Sequence, residues 1–243
     1  MDNQQKIILA GNPNCGKTTL FNILTGLNQK ASNLAGTTVE ITSGQFQYNS
    51  SNFQVVDIPG AYSIYGDTLD QKLAIKELIS TKEKTDLIVY VADANQIYRN
   101  LTFFAQLSSL KRPIILVINL YDTLKSGPEK IIDIEALKEA LGIPVIPYSA
   151  AKSKPYGNIR EDLEKAIKDG KKCHFFDEIY SEEAQTYVAK ERANKTINVY
   201  QKVAQLLSNN SSQNNQNNKY NDQLDRWLMH PVFGFVFFGI VMF

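Results

Sequence analysis

Gly11-Asn12-Pro13-Asn14-Cys15-Gly16-Lys17-Thr18 fits the spacing GxxxxGK[ST]. An apolar run, Lys6–Ala10, leads into it, and a helical pattern, Thr18–Thr25, follows it. That context predicts a strand, a phosphate-cradling loop and a helix. Glycines let backbone N–H groups turn inward around an anion, and the helix start adds its positive end. Asn12, Asn14, Cys15, Gly16, Lys17, Thr18 and Thr19 are therefore the candidate phosphate-binding residues. Lys17 would bridge the β- and γ-phosphates, and the Thr18 hydroxyl would bind Mg²⁺.

Further buried-strand candidates are Phe53–Asp57, Leu87–Ala92, Ile114–Asn119 and the shorter Pro144–Tyr148. Gly44–Tyr48 is more polar and suits an edge, or a hairpin with Phe53–Asp57. Helical spacing lies between them at Lys72–Ser80, Leu101–Leu110, Ile134–Ala140 and Ile159–Asp169. This alternation predicts an α/β fold: a mostly parallel sheet with helices on both faces. Ligands on such sheets sit at the C-terminal strand ends.

The remaining motifs fall at those ends. Asp57-Ile58-Pro59-Gly60 fits DxxG; Asp57 suits Mg²⁺ coordination through water, and the Gly60 N–H would meet a γ-phosphate. Between the two motifs, Thr37 and Thr38 are both candidates to close over Mg²⁺. Asn119-Leu120-Tyr121-Asp122 fits NxxD. A carboxylate there accepts two guanine N–H groups together, whereas adenine would leave it unpaired. Asn119 would tie the phosphate loop to the base loop. Leu120 stands where many GTPases have Lys. Ser149-Ala150 follows the last strand, where a backbone N–H would meet guanine O6. The residue after Gly60 is Ala61, not the Gln with which Ras-type enzymes orient water. Hydrolysis must use backbone, another residue or an ion, and is expected to be slow unaided.

The 243 residues allow one large domain plus an appendage. Residues 1–170 are the expected nucleotide domain and 171–207 a helical appendage. Its apolar side is read as Tyr187, Ala193, Ile197, Tyr200, Ala204 and Leu207. Residues 208–222 form a Ser/Asn/Gln-rich linker, and 223–243 lead into a membrane segment. Val232–Phe243 is apolar on every face, but would rise only about 18 Å as a helix where a span needs about 30 Å. The chain is thus expected to stop just inside a first span, with Trp227 as an interfacial anchor. Polar Met1–Gln5 argues against a signal peptide. The net charge of +1 gives no basic face for nucleic acid. Cys15 and Cys173 stand apart, as do His174 and His230, so neither a disulfide scaffold nor a zinc site is expected.

Taken together, these motifs resemble the N-terminal cytosolic part of FeoB, the bacterial ferrous-iron transporter family. Gly11–Asn22 is similar to its phosphate loop and helix. Asn33–Glu40 is similar to its NWxGVTVE segment, departing at Leu34 and Thr37, and aligns Thr38 with its Mg²⁺-sensing threonine. Asp57–Ser63 resembles DLPGxYS. Arg99-Asn100-Leu101 with Gln106-Leu107 matches RNLxxxxQL, outside the nucleotide site. Asp225-Arg226, His230-Pro231 and Gly234 match the approach to the first membrane helix. The resemblance implies GTP and GDP as ligands, Mg²⁺ as cofactor, and K⁺ as activator at Asn14. It gives catalytic roles to Lys17, Thr38 and Gly60. It further implies GTP-driven or GTP-gated Fe²⁺ uptake at the cytoplasmic face of the inner membrane, with a spacer that favours GDP retention. Self-association stays open. The alternatives are a stand-alone GTPase in ribosome or tRNA maturation, and a nucleotide sensor that barely turns over.

Overall fold

The computed structural model describes residues 5–26, 29–33, 40–64, 87–124, 132–149, 158–179 and 189–211. Thr37, Thr38, Ala150, the expected helix Lys72–Ser80 and the 223–243 segment lie outside them. Among the described residues no helix is long and apolar enough to cross a membrane.

Seven strands form one sheet in the order β2-β3-β4-β1-β5-β6-β7. They are β1 Gln5–Gly11, β2 Gln29–Asn33, β3 Glu40–Tyr48, β4 Ser51–Asp57, β5 Leu87–Asp93, β6 Ile114–Asn119 and β7 Val145–Pro147. From β4 to β7 every pairing is parallel, while β2 with β3 and β3 with β4 are antiparallel. The hairpin of β3 with β4 agrees with the sequence reading, but β3 is no edge: β2 lies outside it. After β1 the chain runs to the edge at β2 and steps back inward through β3 to β4 beside β1, then crosses to β5 on the other side. The loop after β1 therefore sits at the switch point of the sheet, where such folds open a crevice.

Alternation along the central strands sorts the core into two layers. Ile7 and Leu9 of β1, with Leu87, Val89 and Val91 of β5, pack under α1 (Lys17–Thr25). Ile8, Ala10, Ile88, Tyr90 and Ala92 face the other way, under α2 (Ile97–Ser108) and α3 (Ile134–Leu141). A further helix, α4 (Ile159–Asp169), returns to the first layer through Ile159, Leu163 and Ala166. Caps place the helix starts as their chemistry requires. Asp133 accepts from Ala136 N at 3.0 Å and Asn158 from Arg160 N at 3.3 Å. α2 begins four residues before the expected Leu101, because a short 3₁₀ turn capped by Asp93 feeds it.

α5 (Ala189–Ser211) packs on α2 and α3. It buries Val199, Val203, Leu206 and Leu207, which join the apolar cluster of the β5 and α2 side chains together with Cys173 and Phe176. This corrects the expected apolar side: Ile197 is 55% exposed and Tyr200 47%. The helix also runs to Ser211, into the Ser/Asn/Gln-rich stretch read as linker.

Candidate functional site

The five loops at the C-terminal ends of β1, β4, β5, β6 and β7 converge through specific bonds. Gly16 enters α1 with φ 86°, a left-handed conformation that favours glycine. A β-carbon there would stand 2.0 Å from Asn119 Nδ2. Asn119 uses that same amide to donate to the Cys15 carbonyl at 2.9 Å. It thus ties the phosphate loop to the base loop, as its place in NxxD predicts. The base loop is closed in turn by the β7 end: Ser149 Oγ donates to Asp122 Oδ1 at 2.6 Å, and Tyr121 N to the Tyr148 carbonyl at 3.1 Å. Ser149 is fully buried, so the Asp122 carboxylate is aimed from a rigid support.

Two residues beyond Cys15, at the start of α1, the Lys17 ammonium pairs with Asp57 Oδ1, both side chains being 9% exposed. Thr18 Oγ1 donates to Asp57 Oδ2 at 3.2 Å. A hydroxyl and a carboxylate on adjoining elements are hard oxygen donors of the kind Mg²⁺ takes, so the residues present fit that ion. Asn14 is exposed and left-handed, φ 63°; Asn tolerates that region better than other non-glycine residues. Thr19 is also exposed, on the first turn of α1.

DxxG docks directly on the phosphate loop. Ala61 N donates to the Gly11 carbonyl at 3.2 Å. A β-carbon on Gly60 would lie 2.9 Å from Pro13 N, so only glycine allows this approach. Ala61 is 1% exposed and carries no group able to orient water.

Sequence reasoning missed Tyr90. Its hydroxyl, wholly buried, lies 2.7 Å from both Asn12 Oδ1 and the Asn100 carbonyl. Burial raises its pKa well above the usual phenol value, with the nearby Cys15 adding to the rise. Asn100 also accepts from Asp93 N at 3.2 Å. The RNLxxxxQL stretch, read as outside the site, is thus one residue removed from the phosphate loop. The available signal was the single hydroxyl in an otherwise apolar central strand, because a buried tyrosine needs a partner.

Burial pushes the Cys15 thiol up to about 11, against the pull of the Lys17 backbone N–H and ammonium. Cys173 is likewise raised to about 11, first by burial. At pH 7.5 both are thiols, although the nucleophile is the thiolate. Against the ordinary thiol value of 9.0, the rise predicts Cys15 alkylation by iodoacetamide about a hundredfold slower in the folded chain than in denaturant. Mass spectrometry of alkylated peptides measures it; equal rates would contradict the buried placement.

Switch-point crevice, phosphate loop, DxxG and paired base loops define a P-loop GTPase fold. A family model described as "Ferrous iron transport protein B" matches residues 5–163. The chain belongs to that family. It is 36% identical over 162 residues to the Fe(2+) transporter FeoB of Leptospira biflexa, covering 67% of this chain and 23% of that protein. The crystal structure of the G domain of the T. maritima FeoB iron transporter superposes with TM-score 0.60 at 33% identity, covering 69% of this chain and 98% of that one. A mutant S. thermophilus NFeoB bound to GDP matches with TM-score 0.59 at 33% identity, covering 78% of this chain and 68% of that one. The chain spans less than a quarter of the length of the L. biflexa transporter.

Proposed function

We propose that this segment binds and hydrolyses GTP as the cytosolic switch of an Fe²⁺ uptake transporter at the bacterial inner membrane. The observation that carries the reading is the Asn119–Cys15 bond, which joins a carboxylate suited to guanine with a loop suited to phosphates. Lys17 would meet the β- and γ-phosphates, with the backbone of Asn12 to Thr19 around them. Thr18 would hold Mg²⁺ directly and Asp57 through water. Thr38, outside the described residues, would complete that set. Bound Mg²⁺ would neutralise charge on the β- and γ-phosphate oxygens. Gly60 would donate its N–H to the γ-phosphate. Asp122 would select guanine, with Ser149 and Ala150 at its O6. Fe²⁺ would be the cargo of the longer protein, and residues 223–243 the entry to its membrane part. The GDP-bound S. thermophilus relative supports the nucleotide, and the names of the relatives support the cargo.

Ala61 cannot orient water, and of the routes left, backbone, another residue or an ion, Asn14 in the phosphate loop favours the ion. The Asn14 carboxamide oxygen, exposed there, would hold K⁺ together with phosphate oxygens, as an arginine finger acts elsewhere. GTP hydrolysis is expected to run about tenfold or more faster in KCl than in NaCl at matched ionic strength. Asn14→Ala should remove that difference and keep GTP binding. Phosphate-release assays in the two salts decide it, and equal wild-type rates would refute the K⁺ role. For the cargo, proteoliposomes of the longer protein should take up Fe²⁺ with GTP, and a Lys17→Ala version should not.

A further inference from the structure

The segment after DxxG is held from outside the phosphate loop by one side chain. Gln106, in the last turn of α2, is 4% exposed. Its Oε1 accepts from Ser63 Oγ at 3.0 Å and from Ile64 N at 2.9 Å. Three residues earlier in the same segment, Ala61 N bonds to the Gly11 carbonyl and Gly60 lies against Pro13. Between these anchors, the Arg99 guanidinium, also on α2, covers the Tyr62 ring at 4.3 Å. The stretch 60–64 is therefore pinned at one end by the phosphate loop and at the other by α2. The α2 anchor is rigid, because Phe103, Phe104 and Leu107 around Gln106 are buried in the core. A short segment fixed at both ends has little freedom in between, so the far anchor helps set where the Gly60 N–H points.

We propose that Gln106 is a positioning residue for the GTP-bound state: its side-chain oxygen, by holding Ser63 and Ile64, presents the Gly60 N–H to the γ-phosphate. The inference rests on the GTPase reading above. It makes a demand that mere core satisfaction does not. Gly60 would touch only the third phosphate, so losing Gln106 should weaken GTP and spare GDP.

The test uses the 243-residue chain with fluorescent GDP and a fluorescent non-hydrolysable GTP analogue. Gln106→Met keeps the volume and removes the acceptor. Its Kd for the GTP analogue should rise about tenfold, with GDP within about twofold, and kcat should fall about tenfold. Gln106→Glu restores an acceptor oxygen and should recover most of the GTP affinity. Ser63→Ala removes one donor from a half-buried site and should shift the same ratio about threefold. It decides the matter if Gln106→Met does not fold. Equal losses for both nucleotides, no change in either, or a Glu variant no better than Met would overturn the proposal. Wild-type binding of both nucleotides with any of those results leaves the GTPase reading standing. Wild-type failure to bind either nucleotide would remove that reading, and the inference with it.

Discussion

Asp122→Asn is expected to turn a guanine-selective site into a xanthine-selective one. The carboxylate would accept two N–H groups from guanine; an amide at the same place keeps one acceptor but offers a donor where guanine also offers one. Charge-assisted bonds contribute about 1.5–3 kcal/mol each. Losing the charge assistance of both, with one replaced by a donor–donor clash, lowers GTP affinity by at least about 10²-fold, at tenfold per about 1.4 kcal/mol. Xanthine carries an acceptor in place of the exocyclic amine, so XTP should gain what GTP loses. Ser149 Oγ, 2.6 Å from Asp122 Oδ1, can still donate to the new amide oxygen, so the loop should keep its shape. In the wild type, GTP should exceed ATP by on the order of 10⁴, as in sites that hydrogen-bond a substrate group its competitor lacks. Competition titrations with GTP, XTP and ATP check both statements. Equal competition by ATP would end the guanine reading.

Lys17→Ala is expected to abolish useful nucleotide binding. The ammonium would meet two phosphates, and its removal should lower GTP affinity by about 10²- to 10⁴-fold. The structure adds a second consequence. Lys17 pairs with Asp57, and both side chains are 9% exposed. Without Lys17, among the described residues the carboxylate keeps the Thr18 hydroxyl, at 3.2 Å. Removing one partner of a buried pair costs about 3–5 kcal/mol. The variant should therefore melt lower even without nucleotide, and Lys17→Arg should recover stability better than affinity. Calorimetric melting with a fluorescent-GTP titration separates the two effects. Tight binding by Lys17→Ala would refute the phosphate-loop assignment.

Much of this was legible from local pattern. GxxxxGK[ST], DxxG and NxxD each need residues at fixed short spacings, because one loop supplies the whole geometry. The central strands were legible for a similar reason. Leu87–Asp93 is buried on both faces, so every position but the last is a hydrophobe or tyrosine. Helix α4 matched its expected bounds, since an Asn158 cap and a Gly170 end are written in adjacent residues.

What the sequence alone could not decide involves choices among equivalent local options. Strand β2, Gln29–Asn33, is polar but for Ala31 and is a strand because β3 supplies its hydrogen bonds in an antiparallel register. Helix α5 carries two apolar stripes at helical spacing: Ile197, Tyr200, Ala204 and Leu207, and Val199, Val203, Leu206 and Leu207. Periodicity rates them alike, and only packing against α2, α3 and Phe176 selects the second. Tyr90, Asn100 and Gln106 are too far from the motifs in sequence to be linked with them. The parallel β1–β5 register and the seating of α2 over the sheet bring them to the phosphate loop and DxxG. Residue type and spacing therefore determined which chemistry the chain carries. Long-range pairing and burial decided which side chains hold that chemistry in place, because hydrogen bonds and apolar contacts depend on distance in space and not on distance along the chain.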